Sequence, residues 1–276
     1  MAKPRPLWYA SLPGGKSPSA YSLDELRAAK QAHAFLSAEV SAPESVALCV
    51  RGFRYLLFFG IACVAEDKYP PLTRCWRDLE ARFMGDPAFD DDLLVQSWIL
   101  MDFPFGPSRQ TALDHFEEFL GGTEVGVEFQ RFIDAARGTR LGLLQDVMRT
   151  KKIAKFRELI TGKVVEVLPS VEEYGKGEIL LTRTMVCDEQ VFLFGNAKGF
   201  PKEAKSQIEN MILDKLFYLE GDLDETKPIA AYSTFMKLAG PYWMSCVTQN
   251  EDAPILNPDH YRTYLGTSQV PLPTVD

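Results

Sequence analysis

Residues 141–168 read LGLLQDVMRTKKIAKFRELITGKVVEVL. Branched and aromatic residues here come in short runs broken by turn chemistry, which is the signature of strands rather than of a 3.6-residue helical period. The runs 141–149, 153–159 and 164–168 are three candidate strands, separated by Thr150-Lys151 and Thr161-Gly162. Two more, 178–186 and 190–194, follow a stretch containing Gly175 and Gly177 and then the turn Cys187-Asp188-Glu189. Five short strands in succession predict a small, strongly curved antiparallel barrel-like module of the OB or SH3-like kind, with a half-open meander packed on helices as the alternative.

Upstream of this stretch the pattern is helical. Ser22-Leu-Asp-Glu25 has capping-box spacing, in which a hydroxyl and a carboxylate three residues on satisfy each other's backbone donors, and an Ala/Leu/Lys-rich run continues to about residue 40. Ser41-Ala-Pro-Glu44 repeats the spacing with Pro43 in the first turn, and the segment to about residue 67 is apolar on most faces, as expected of a central helix. Further helices are expected at 71–84, 87–103, 109–120 and 123–138, divided by Gly/Pro punctuation and therefore packed as a bundle. After Phe200-Pro201 helical periodicity returns at 202–219 and 228–238, and the tail from Gly240 reads as extended chain. The expected fold is α+β. An N-terminal coil (1–21) precedes a helical domain (22–138), a five-stranded antiparallel β-module (139–200), and C-terminal helices with an extended tail (201–276).

Charge is distributed unevenly. Arg137, Arg140, Arg149, Lys151, Lys152, Lys155, Arg157 and Lys163 face only Asp146 and Glu158 within 137–163, in a chain of net charge −8. A basic block in an acidic protein is a docking surface for something anionic, an internal seam, or a solvated face. The overall acidity, with a pI near 5.1, argues against a protein that coats DNA.

Familiar chemistries do not assemble. Gly14-Gly15-Lys16-Ser17 lacks the earlier glycine, strand and helix of a phosphate loop and is followed by Pro18. Asp90-Asp91-Asp92 sits where a helix dipole favours acidic residues in a first turn, with no further ligand cluster near it. His33, His115 and His260 are isolated, and His115 reads as the edge of an amphipathic helix rather than an acid/base group. No metal site and no cofactor are expected. Five scattered cysteines (Cys49, Cys63, Cys75, Cys187, Cys246), no signal-peptide pattern, and an apolar run at 55–65 about half as long as a membrane span together predict a reducing, cytoplasmic setting and no membrane partner.

Two stretches carry a likeness. Residues 94–119 (LVQSWILMDFPFGPSRQTALDHFEEF) place Trp98, Asp102, Phe103, Thr111, Leu113 and Phe116 so as to resemble the helical region of uncharacterised bacterial proteins associated with the SEC-C motif. Phe156-Arg-Glu-Leu-Ile-Thr-Gly-Lys163 and Lys176-Gly-Glu-Ile-Leu-Leu-Thr-Arg183 are similar to the β-module that follows it in that group. The resemblance implies a helical half plus a β-module and brings no activity. The group's cysteine-rich zinc motif is missing, so zinc is not carried over.

The preferred expectation is a non-catalytic cytoplasmic binding or adaptor protein whose partner is another protein. The second reading is nucleic-acid or nucleotide binding by the β-module. Arg140, Arg149, Lys151, Lys152, Lys155, Arg157 and Lys163 would then be the anionic-partner surface and Phe156 a stacking face, although strand alternation sets Phe156 opposite Lys155 and Arg157. The third is an enzyme of unrecognised class with a site between the two halves.

Overall fold

A computed structural model describes residues 40, 42–82, 93–121, 124–150, 153–168 and 178–210, with Met236, Gly240 and Trp243. The expected helix at 22–40, the aspartate triplet, the glycine-lysine segment, His33, His260 and most of the C-terminal helices and tail lie outside these residues. The chain divides into two units, 1–138 and 139–276.

In the first unit, α1 (Glu44–Ala65) lies against α2 (Pro70–Arg82), α3 (Leu93–Met101), α4 (Ala112–Leu120) and α5 (Glu124–Gly138). A helix apolar on most faces must be surrounded, and α1 is: Leu56, Leu57, Phe58, Phe59 and Ala62 are all buried. By length and composition α1 could cross a bilayer, so the half-length reading of residues 55–65 understated it; 78% of its most apolar window is buried inside the protein. The contact with α5 depends on Gly52. A Cβ there would stand 2.4 Å from Cγ and Cδ1 of Phe132 and 2.8 Å from its Cβ. One turn on, Tyr55 packs on Phe129 with ring centroids 4.8 Å apart, and Arg51 reaches Glu128 at 3.3 Å.

Two helix starts differ from expectation. Pro43, with ψ 149°, is the N-cap of α1 rather than part of its first turn, and it makes no side-chain cap bond. The helix expected from 109 begins at Ala112, because Phe105 and Gln110 bridge across a tight turn and Thr111 closes a true capping box with Asp114.

The second unit begins with a five-stranded antiparallel sheet of order β3-β2-β1-β4-β5. Its strands are β1 (Arg140–Arg149), β2 (Ala154–Glu158), β3 (Val164–Val167), β4 (Ile179–Cys187) and β5 (Gln190–Phe200). The α+β class is as expected, and β5 runs six residues beyond the expected end at Phe194. The sheet does not close into a barrel. Its edges touch where the Leu168 N–H donates to the Val191 carbonyl at 2.9 Å, but a four-residue β3 is too short to pair along an eleven-residue β5. Leu144, Ala154, Phe156, Val167 and Leu180 form a core on one face, joined by Val165, Val191, Leu193 and Ala197. The chain then passes Pro201 into a helical stretch at 202–210.

Overpacking at Gly52 sets the first prediction. Gly52→Ala would gain about 1 kcal/mol of helix propensity but would press on the fixed base of the Phe132 ring, a strain of about 1–3 kcal/mol. Gly60→Ala meets only the far end of Leu100, so urea unfolding should find Gly52→Ala the more destabilised of the two. Equal stability of the two variants would remove Gly52 as the determinant of this helix pair.

Candidate functional site

The basic window is split by the fold. Arg137 belongs to α5 and the first unit, where its guanidinium bonds Glu117 and lies 3.1 Å from Asp114, both on α4. Burial alone would lower the Arg137 pKa, but its bonds to Glu117 and Asp114 outweigh that and hold it above the usual arginine range. Burial would likewise raise the Asp114 carboxyl. The Thr111 backbone N–H and hydroxyl, with Arg137, outweigh burial and hold it below the usual range. Arg137 is therefore part of an internal seam between two helices.

The remaining candidates lie in the second unit. Arg140 opens β1, and Lys151 and Lys152 fall outside the described residues. Arg149 ends β1 and lies 3.4 Å from Asp146, while Lys155 on β2 pairs with Glu166 on β3 at 3.2 Å. Arg157 and Lys163 are exposed, and neither makes an ion pair with the described residues.

Strand pairing orders these side chains. Burial alternates along β2, with Ala154, Phe156 and Glu158 inward and Lys155 and Arg157 outward. Directly paired residues share a face, so two outward rows cross three strands: Gln145–Arg157–Val164 and Met148–Lys155–Glu166. A bulge between Asp146 and Met148 inserts Val147 beside the second row. Val147, Met148 and Val164 are 47%, 41% and 48% exposed, so this face interleaves aliphatic side chains with cations. Sequence reasoning found Lys155 and Arg157 but missed Gln145, Val147, Met148, Val164 and Glu166. Period-two alternation around Phe156 could have supplied Val164 and Glu166, whereas the bulge has no local signal. Phe156 is only 2% exposed, which removes it as a stacking face for a base.

The turn that resembled a family motif has a structural explanation. Glu158 is buried, its carboxylate accepts from the Thr161 hydroxyl, and Gly162 takes a φ of +67°. The Gly162 N–H closes the turn on the Glu158 carbonyl at 3.0 Å. Arg183, at the end of the second likeness, is wholly buried on β4.

In the first unit His115 stacks on Tyr69 with centroids 4.4 Å apart, lies 5.3 Å from the Phe105 ring, and sets Nδ1 3.5 Å from Glu118. Burial, then the neighbouring Cys63 and Glu118, raise the Tyr69 pKa. Burial pushes the Cys63 thiol up to about 12, which leaves negligible thiolate at neutral pH. This is a packed aromatic corner. Cys49, Cys63, Cys75 and Cys187 form no disulfide, and among the described residues no group of three or more His, Cys, Asp or Glu could hold a metal ion.

No protein-family model, curated protein or solved structure matches the chain.

Two outcomes are expected. Because the Asp114 carboxyl is depressed in the folded state, its stabilisation is complete above about pH 4, the ordinary unfolded value, and is lost as pH falls through the lower folded value. The stability gap between wild type and Asp114→Ala, measured by urea unfolding across a pH series, should shrink on acidification; a gap independent of pH would contradict the Thr111 and Arg137 bonds. Thr161→Val removes a donor from a buried carboxylate and should cost about 1–3 kcal/mol, against little change for Thr150→Val at an exposed turn.

Proposed function

We propose that this chain is a non-catalytic, cytoplasmic protein-binding or adaptor protein, and that the outward face of β1, β2 and β3 is its docking surface. The partner surface it fits is aliphatic and acidic. The observation that carries this reading is the pair of rows across three strands. Solvent-exposed Val164 adjoins Arg157 in one row, and solvent-exposed Val147 and Met148 adjoin Lys155 in the other. Exposed aliphatic side chains grouped with cations suit a protein surface, where apolar contact supplies affinity and complementary charge supplies orientation.

The nucleic-acid reading has less support. Arg149 and Lys155 already have carboxylate partners within the module, and the aromatic ring that would stack a base is in the core. The enzyme reading has no assembled nucleophile and base among the described residues to argue from.

The test compares the full-length chain with a Met148→Asp/Arg157→Glu variant in affinity capture from native lysate, with nuclease treatment, alongside direct binding to single-stranded and duplex nucleic acid at several salt concentrations. Val186→Asp, at an exposed apolar position of β4, is the control. The expected result is a nuclease-resistant protein partner that the double variant loses and the control keeps. Sub-micromolar nucleic-acid binding that falls steeply with salt, or a partner retained by the double variant, would overturn the proposal.

A further inference from the structure

The hydrogen-bond register of β3 leaves part of its outer edge open. The Glu158 N–H donates to the Lys163 carbonyl at 2.8 Å, which turns the backbone groups of residues 163, 165 and 167 toward β2. Those of 164, 166 and 168 then point away from it, and the bond from Leu168 to Val191 agrees with that alternation. Leu168 is thus taken by β5. The N–H and carbonyl groups of Val164 and Glu166 have no partner among the described residues.

A strand edge with free backbone groups is a template for another strand. The side chains around this edge are Lys155, Arg157 and Lys163 against Glu166, a local excess of positive charge. An incoming strand would continue both outward rows, placing one residue beside Val164 and another beside Glu166. Arg157, exposed and one strand in, could reach over Val164 to a carboxylate on that strand.

We propose that β3 accepts an extended, acidic, aliphatic segment of a partner protein as a sixth strand, hydrogen-bonded to Val164 and Glu166. This inference rests on the docking face above and specifies how that face is occupied. The backbone bonds set the register, and the charge selects an anionic segment.

Glu166→Pro tests it with little disturbance, because the lost N–H points away from β2 and proline is tolerated at such edge positions. Glu166→Ala is the control that keeps the N–H and removes the same carboxylate. The probe is a fluorescently labelled hexapeptide of alternating valine and glutamate, with alternating valine and lysine as the charge control, titrated into the full-length chain by fluorescence polarisation. The expected result is saturable binding of the glutamate peptide, kept by Glu166→Ala, weakened at least tenfold by Glu166→Pro, and absent for the lysine peptide. Amide hydrogen exchange gives a second readout free of substitution: Val164 and Glu166 should exchange rapidly alone and become protected with the glutamate peptide. No binding, equal binding by the proline and alanine variants, unchanged exchange at both amides, or a dimer of the chain that Glu166→Pro dissolves would each overturn the inference. If these fail while Met148→Asp/Arg157→Glu still abolishes partner capture, the docking face stands and only strand addition falls.

Discussion

Burial of Phe156 constrains the whole outward face of the module. A strand has a side-chain period of two, so placing Phe156 with Leu144, Val167 and Leu180 in the core drives Lys155 and Arg157 to the opposite side. A one-residue slip would expose a phenylalanine, at a cost of about 1.5–3 kcal/mol, and would force two cations into an apolar cluster, which costs more. The positions of the cations are thus a consequence of the core, and the core also holds β3 against β2 in the register that leaves Val164 and Glu166 at the edge.

The sequence made that alternation readable because it is local. KFRE alternates within one short run, and the Thr161-Gly162 turn marks where the chain reverses. What it could not yield depends on pairing between segments far apart in the chain. The bulge at Val147 exists only relative to β2, and it exposes two consecutive apolar residues that a strict alternation would have put on opposite faces. Whether five strands close into a barrel depends on the lengths of the two edges, and the extension of β5 through Gly195, Gly199 and Lys198 contradicts local strand propensity. Tertiary pairing overrode preference there.

The helical unit has the same division. Apolar residues on most faces of 44–65 announced a buried helix, and its existence was legible. Its glycines were not, since in isolation each weakens a helix by about 1 kcal/mol relative to alanine. Only the approach of Phe132 gives Gly52 a purpose. Capping shows the reverse error: Ser41 had the favoured spacing, yet Pro43 caps the helix, whereas Thr111 closes its box with Asp114, a shorter acid than the usual glutamate. The same Asp114 then receives Arg137 from α5, a pairing across 23 positions that no motif announces.

Charge in the basic window consequently has different meanings at different residues. Arg137 joins two helices; Arg149 and Lys155 are matched within or between adjacent strands, arrangements that contribute about 0–1 kcal/mol each. A polyanion gains affinity by releasing about one counterion for each phosphate neutralised, so it needs a row of available cations. Among the described residues the module offers Arg157 and Lys163 beyond those already paired, with Arg157 set between Gln145 and Val164 and its nearest cation on that face, Lys155, already matched to Glu166. Two charges in an aliphatic frame make a weak polyelectrolyte site. On the proposed reading they would orient one short acidic segment whose main contacts are apolar and backbone in kind, the salt-sensitive term selecting the partner while the strand edge and the valines hold it.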